Sequence, residues 1–216
     1  MQNVSHMNAF RAVEDIFLED ILETQHDARV LTPCSCNDGT SNRLRKVRCA
    51  DCLQSPVVCR KCWLETHRTS PTHWALVWNS EEKFFEKTDI SRVQNGAGVF
   101  LGHDGNLCRH HLSRPFTLVD SNGIHATVVA FCGCPAPGGD GIAPLPQFRQ
   151  LLRAGIFPGS IKEPKTGYTL TLLERFRQQR NQDKGSLYDF VHVLQRLADP
   201  IFAEDVPVSV DQVQDF

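Results

Sequence analysis

Residues 49–73 read CADCLQSPVVCRKCWLETHRTSPTH, and the fold is decided by how this stretch is understood. Two CxxC turns, Cys49-Ala50-Asp51-Cys52 and Cys59-Arg60-Lys61-Cys62, stand close together, and His67 and His73 follow them. A CxxC turn brings both sulfurs to one side of the backbone, which suits a tetrahedral ion held by soft or borderline donors. The alternative is a set of buried reduced cysteines with incidental histidines. Six cysteines and two histidines between residues 34 and 73 weigh against that alternative.

Working outward, Cys34-Ser35-Cys36 precedes the two turns, so eight donors fall in four ordered pairs and indicate two Zn2+ ions. Crossed pairing locks successive loops around one another. It assigns Cys34, Cys36, Cys59 and Cys62 to one ion, and Cys49, Cys52, His67 and His73 to the other. Structural zinc contributes roughly 10 kcal/mol that appears as folding free energy, so the segment is expected to lose its structure without metal.

A second cluster comprises Cys108, Cys132 and Cys134 and needs one more donor from His103, His110, His111 or His125. His103 is chosen because it sits in the turn Leu101-Gly102-His103-Asp104-Gly105 ahead of Cys108, whereas His110 follows that cysteine almost at once. This set would hold a third ion; the alternative is three free cysteines beside a hairpin. Sets of four protein donors leave no position for a reactive water, so the zinc is read as structural. His6, His26 and His192 have no cysteine neighbour and are not expected to bind metal. Trp63, Trp74 and Trp78 are expected to pack around the small metal units.

The chain has 216 residues, 41% of them hydrophobic, which is ordinary for a globular protein. Its nine cysteines fall only between residues 34 and 134, and the odd count with tight pairing argues against a secreted disulfide framework. The amino terminus runs into the acidic, amphipathic segment Glu14 to Glu23 and does not resemble a signal peptide, so a reducing compartment is expected. No apolar run approaches the roughly 20 residues needed to cross a bilayer, so no membrane partner is expected. The formal net charge of −2 conceals a basic region of Arg43, Arg45, Lys46, Arg48, Arg60, Lys61 and Arg68. These side chains could meet phosphates or could be solvated loop charges; charge alone does not separate the two.

The patterning predicts an α+β protein: a small zinc-stabilised treble-clef or B-box-like unit, then a β-hairpin zinc cluster, then a helical segment. Residues 1–31 are expected to hold an acidic amphipathic helix over 8–27, capped by Asn8 and presenting Phe10, Val13, Phe17 and Ile21. Residues 32–80 are the two-zinc module, with strands at 44–48 and 57–58 and a helical turn at 61–68. Residues 81–146 are the cysteine cluster, with strands at 116–119 and 124–131 joined through Asn122-Gly123, a strong hairpin signal, and an irregular stretch from Gly133 to Pro146. Residues 147–200 are expected to be helical, over 147–154, 169–182 and 187–198, with Leu151, Leu152, Leu170, Leu173, Phe176, Phe190, Val193, Leu194 and Leu197 as core. Residues 201–216 form an acidic tail.

The order of the first four ligand pairs resembles the B-box type of zinc module, although the first pair here is CxC. A longer chain of motifs carries a second resemblance. Leu101-Gly102-His103 with Cys108, then Asn122-Gly123-Ile124-His125, then Phe131-Cys132-Gly133-Cys134, are followed by Gln150-Leu151-Leu152-Arg153-Ala154-Gly155-Ile156-Phe157-Pro158. Downstream come Pro164-Lys165-Thr166-Gly167-Tyr168-Thr169, Leu172 to Phe176, and Tyr188-Asp189-Phe190 with Leu194 and Leu197. In this order, over residues 47 to 199, the segments resemble the CxC-type cysteine cluster that accompanies KDZ transposases of fungi.

That resemblance implies a zinc-binding region amino-terminal to the catalytic domain of a cut-and-paste DNA transposase, acting in the nucleus. It implies DNA as a partner, with Arg43, Arg45, Lys46, Arg48, Arg60 and Lys61 as candidate phosphate contacts, and the transposase catalytic domain or a host protein as another. Such transposases use a carboxylate triad in an RNase H-like fold, and Asp104, Asp120, Asp140 and Glu174 match no such motif. No catalytic activity and no small-molecule substrate are therefore expected, and the chain looks like a fragment, a truncated copy or a domesticated module. The alternative function, from the B-box likeness, is a protein-interaction module.

Overall fold

The computed structural model describes residues 2–36, 42–89, 98–135, 143–183 and 185–206, without the side chains of residues 2–6 and 183. Asp140, the middle of the stretch expected to be irregular from Gly133 to Pro146, and the acidic tail beyond residue 206 lie outside the described residues. The chain divides into two compact units, Met1–Trp63 with Leu76–Lys87, and Leu64–Ala75 with Thr88–Phe216.

In the first unit the amino-terminal helix is interrupted. α1 (Gln2–Arg11) and α2 (Glu14–Thr24) are separated at Val13, whose φ of −124° and ψ of 15° leave the helical range. The expected single helix from 8 to 27 is thus two, and Asn8 lies inside α1 and does not cap it. A straight helix needs a packed face to hold it, yet Phe10, Ile16, Phe17 and Ile21 all remain exposed. The break instead lets the Phe10 and Phe17 rings meet at 6.1 Å.

β1 (Val47–Cys49), β2 (Ala75–Asn79) and β3 (Phe84–Thr88) form a three-stranded sheet in that order, and α3 (Arg60–Thr66) follows the second CxxC turn. The strands expected at 44–48 and 57–58 are shorter than the pattern suggested. Leu44 makes an isolated bridge to Pro33, and Val58 makes one to Val47. The β2–β3 hairpin was not expected. Its turn is set by Asn79, whose Oδ1 accepts from the Glu81 and Glu82 amides at 2.9 and 3.1 Å. The unit's apolar core is small, with Val47, Val57, Trp63 and Phe85 its largest buried hydrophobic side chains.

The second unit is built on a five-stranded sheet of β4 (Val99–Phe100), β5 (His111–Asp120), β6 (Gly123–Cys132), β7 (Ile156–Pro158) and β8 (Thr166–Thr169), ordered β4-β6-β5-β8-β7. The hairpin expected around Asn122-Gly123 is present and longer than predicted, with β5 and β6 antiparallel from His111 opposite Cys132 to Asp120 opposite Gly123. β4 lies parallel to β6, and β8 parallel to β5.

Alternation along the hairpin separates two cores. Phe116, Leu118, Val129 and Phe131 pack with Leu151 of α4 (Gln147–Arg153) and Ile156. Val119 and Ile124 pack with Tyr168, Leu172 of α5 (Leu170–Asp183), and Val191 and Leu194 of α6 (Leu187–Ala198). Ser186 caps α6, its hydroxyl accepting from the Asp189 amide at 3.1 Å.

The segment 147–200, expected to hold helices over 147–154, 169–182 and 187–198, also supplies β7 and β8 between the first two. Their pairing is non-local, and no helical or alternating period of three or four residues announces it. Gly167 makes it possible: a Cβ there would stand 2.6 Å from Ile156 and 2.9 Å from Phe116. Of the expected core, Leu152, Leu170, Val193 and Leu197 are exposed, because the sheet takes only the faces bearing Leu151, Leu172, Val191 and Leu194.

Candidate metal centres

Of the three expected donor groups, the first, Cys34, Cys36, Cys59 and Cys62, and the third, His103, Cys108, Cys132 and Cys134, could each hold a metal ion within one unit; of the second, Cys49 and Cys52 belong to the first unit and His67 and His73 to the second.

In the first group, Cys59 and Cys62 flank the start of α3, where Trp63 N donates to Cys59 O at 3.0 Å and turns the second thiol toward the first. Cys34 is fixed beside the Pro33–Leu44 bridge, its amide donating to Arg43 O at 2.7 Å. The Cys59 amide in turn donates to Cys34 Sγ at 3.4 Å. Cys36 and Cys59 sulfurs are 3.4 Å apart and Cys34 and Cys62 sulfurs 4.0 Å, with all four donors within 4.8 Å of one another. A tetrahedron with Zn–S bonds of about 2.3 Å has S···S edges of about 3.8 Å. Burial raises the Cys34 pKa, but amide and thiol hydrogen bonds from Cys36 and Cys59 outweigh it and bring it down to about 6. Cys62 moves the other way, its thiol donating to Cys36 with burial adding to the effect. The cluster thus stabilises the Cys34 thiolate at the expense of Cys59 and Cys62, and a bound cation would let the thiols ionise together.

In the third group, β6 ends on Cys132 and delivers Cys134 two residues later, where the Cys134 amide donates to Cys132 Sγ at 3.4 Å. The His110 amide donates to Cys108 Sγ at 3.3 Å. Cys108 Sγ lies 3.5 Å from Cys134 Sγ and 3.6 Å from Cys132 Sγ, and His103 Nε2 lies 3.3 and 3.6 Å from the Cys132 and Cys134 sulfurs. For a thiolate and an imidazole on one zinc ion the expected separation is about 3.6 Å. Burial raises the Cys108 pKa, yet the His110 amide and the Cys134 thiol bring it down to about 6. The Cys134 thiol, donating to Cys108 and Cys132, is pushed up to about 11.

The backbone is shaped to this end. His103 and Asp104 occupy left-handed conformations, with φ of 49° and 53°, which cost roughly 1–2 kcal/mol each in a non-glycine residue. Gly133 has no room for a side chain, since a Cβ would stand 2.1 Å from His110 O. The other candidate histidines serve elsewhere. His110 is exposed. His111 Nδ1 is 2.7 Å from Cys108 O, steadying the ligand loop. His125 is buried against Trp74, ring centroids 4.3 Å apart, with Nε2 3.0 Å from Asn122 Oδ1.

Of the remaining group, Cys49 ends β1 with its amide donating to Ser55 Oγ at 2.7 Å, and burial pushes its thiol up to about 11. Cys52 is exposed. The His67 and His73 rings lie 5.5 Å apart. Trp63 and Trp74 are buried, and Trp78 meets Phe85 edge-on at 5.1 Å, so all three pack.

The six candidate phosphate contacts divide. Arg45 Nη1 donates to Val57 O at 2.9 Å, and its Nε to Pro33 O at 3.3 Å. Arg48 donates to Thr24 O and lies over the Phe85 ring at 4.4 Å. Burial lowers its pKa, partly opposed by Asp27. These two hold loops of the first unit together. Arg60 and Lys61 are exposed, and Arg43 and Lys46 half-buried.

The family described as a CxC2-like cysteine cluster associated with KDZ transposases matches residues 93–201. No curated protein and no solved structure matches the chain.

Proposed function

We propose that this chain, which belongs to the family of CxC2-like cysteine clusters associated with KDZ transposases, is a zinc-folded module that directs such a transposase to DNA or chromatin in the nucleus. The observation that carries the reading is the closure of the donor sets. The first and third each bring four Cys or His donors, enough to complete a tetrahedron, and neither includes a carboxylate among the described residues. Zinc bound there would supply folding free energy and would leave no coordination position for a substrate or a reactive water. The module's role is therefore binding, not chemistry.

DNA is the favoured partner because Arg43, Lys46, Arg60 and Lys61 lie between Cys36 and Cys62 in the chain that supplies this donor set, and Arg60 and Lys61 are exposed. Four phosphate contacts would give a slope of about −3 to −4 in log K against log salt. The test is zinc-loaded protein titrated with duplex DNA from 50 to 200 mM salt, on the order of the range where counterion release is read. A slope near that value supports the reading, and no binding at the lowest salt refutes it.

A second reading, a protein-interaction module, is favoured by a different observation. α1 and α2 leave Phe10, Ile16, Phe17, Leu18, Ile21 and Leu22 exposed, a concentration of apolar side chains of the kind that marks an interaction surface. If duplex DNA does not bind, a transposase catalytic domain or a host protein becomes the partner to test.

A further inference from the structure

The feature that neither the family match nor the donor sets account for is a buried glutamine. Gln150, in α4, is 7% exposed and adjoins Leu151, which is wholly buried in the core against the sheet. Its amide makes three hydrogen bonds. Oε1 accepts from the Cys132 backbone amide at 2.8 Å, and Nε2 donates to Cys132 O at 2.9 Å and Leu145 O at 2.7 Å. The first two clamp both peptide groups flanking one Cys132 α-carbon, and the third ties the same side chain to the segment leading into α4.

Only a glutamine satisfies this arrangement. A glutamate would turn an acceptor toward two carbonyl oxygens, and an apolar side chain would leave the Cys132 N–H, the Cys132 C=O and the Leu145 C=O without these bonds in a half-buried place. The Cys132 sulfur, like that of Cys134, stands within 3.6 Å of both Cys108 Sγ and His103 Nε2, and Cys132 is the one whose main chain Gln150 holds. A shift of its main chain would therefore move the centre of the donor set.

We propose that Gln150 is a positioning residue of the His103, Cys108, Cys132 and Cys134 centre: it holds the Cys132 main chain so that the donors stand preset for the ion, and it joins that centre to α4. The proposal rests on reading this cluster as a metal site. Groups that orient metal ligands typically alter affinity by 10- to 100-fold.

The experiment counts zinc ions on the full chain by native mass spectrometry across a series of free-zinc buffers. Gln150→Glu keeps the size and one acceptor, and Gln150→Met removes all three bonds. Both are expected to release one ion at 10- to 100-fold higher free zinc than the parent while the other ions are unchanged. Cys134→Ser identifies that ion. Leu151→Ala loosens the same helix without touching Cys132, and it is expected to lower the melting temperature while leaving zinc affinity in place.

If Cys134→Ser loses an ion but the Gln150 variants keep parental affinity, the positioning role is overturned and the metal site stands. If Leu151→Ala weakens zinc as much as Gln150→Met does, general loosening explains the effect and the proposal is overturned. If Cys134→Ser keeps every ion, the metal reading of this cluster fails and the proposal with it.

Discussion

If zinc occupies the Cys34, Cys36, Cys59 and Cys62 set, replacing Cys62 with serine should unfold the part of the first unit that this set ties together while the long hairpin of the second survives. The bonds at stake cross long loops: Cys36 meets Cys59 over 23 residues and Cys34 meets Cys62 over 28. A cross-link closing loops of that length is worth about 3.5 kcal/mol of unfolded-state entropy. The figure agrees with sharing about 10–16 kcal/mol of zinc binding among four ligands, about 2.5–4 kcal/mol each. The unit's apolar core, chiefly Val47, Val57, Trp63 and Phe85, is too small to absorb such a loss. At fixed free zinc, the affinity of this set should fall by about 10²–10³-fold. Backbone amides of Val47, Val58 and Trp63, which bond to Val58 O, Val47 O and Cys59 O, should exchange faster by the same factor. Amides of β5 and β6 should keep their protection, because the core around Phe116, Leu118, Val129 and Phe131 remains. Hydrogen exchange read by mass spectrometry, alongside a zinc count, decides the matter. An unchanged zinc count with unchanged exchange at Val47 and Val58 would refute the reasoning.

Three further outcomes are expected. Gly133→Ala should strip the ion from the Cys108, Cys132 and Cys134 centre, because its Cβ would stand 2.1 Å from His110 O and the loop must move; retention of that ion in a zinc count would contradict the geometry. Asp120 is pushed up by burial, but hydrogen bonds from Thr169 and Thr72, the Ser121 amide and the nearby His125 hold its carboxyl below the usual value of 3.8. Its stabilising effect is therefore full above pH 4, where the unfolded carboxylate is ionised, and is lost as pH falls through the lower folded value. Asp120→Asn should cost about 1.5–3 kcal/mol in urea unfolding at pH 7, and that difference should shrink as pH falls through the lowered folded value; equal stabilities at pH 7 would discount the network. Arg60→Gln should reduce the salt slope of DNA binding by about 1 with the zinc count unaltered, and an unchanged slope would remove Arg60 from the phosphate contacts.

Much of this protein was legible because the spacing of Cys and His donors and the residues of hairpin turns are local signals. CxxC spacing, Asn122-Gly123 and Ser186 each specify geometry within a few residues, and the hairpin and the last helix lie where those residues indicate. Chemistry that depends on distant neighbours was not legible. Arg45 and Arg48 look like phosphate contacts in a basic run, yet Val57 O, Pro33 O, Thr24 O and the Phe85 ring take them. Gln150 opens a segment that carries the family likeness, but its bonds to Cys132 show only once α4 places it there.

From the sequence alone came the α+β character, the pairing of donors along the chain and the likeness to the cysteine clusters of KDZ transposases. These depend on spacing and order, which a linear chain displays. Only the tertiary structure decided that β7 and β8 join the hairpin, that α1 and α2 separate at Val13, and that His111 and His125 turn to other partners, leaving His103, the donor chosen from the sequence, beside Cys132. Those outcomes follow from which surfaces can be buried together and which polar atoms must then be satisfied. Both are properties of contacts between residues far apart in sequence, and no local pattern encodes them.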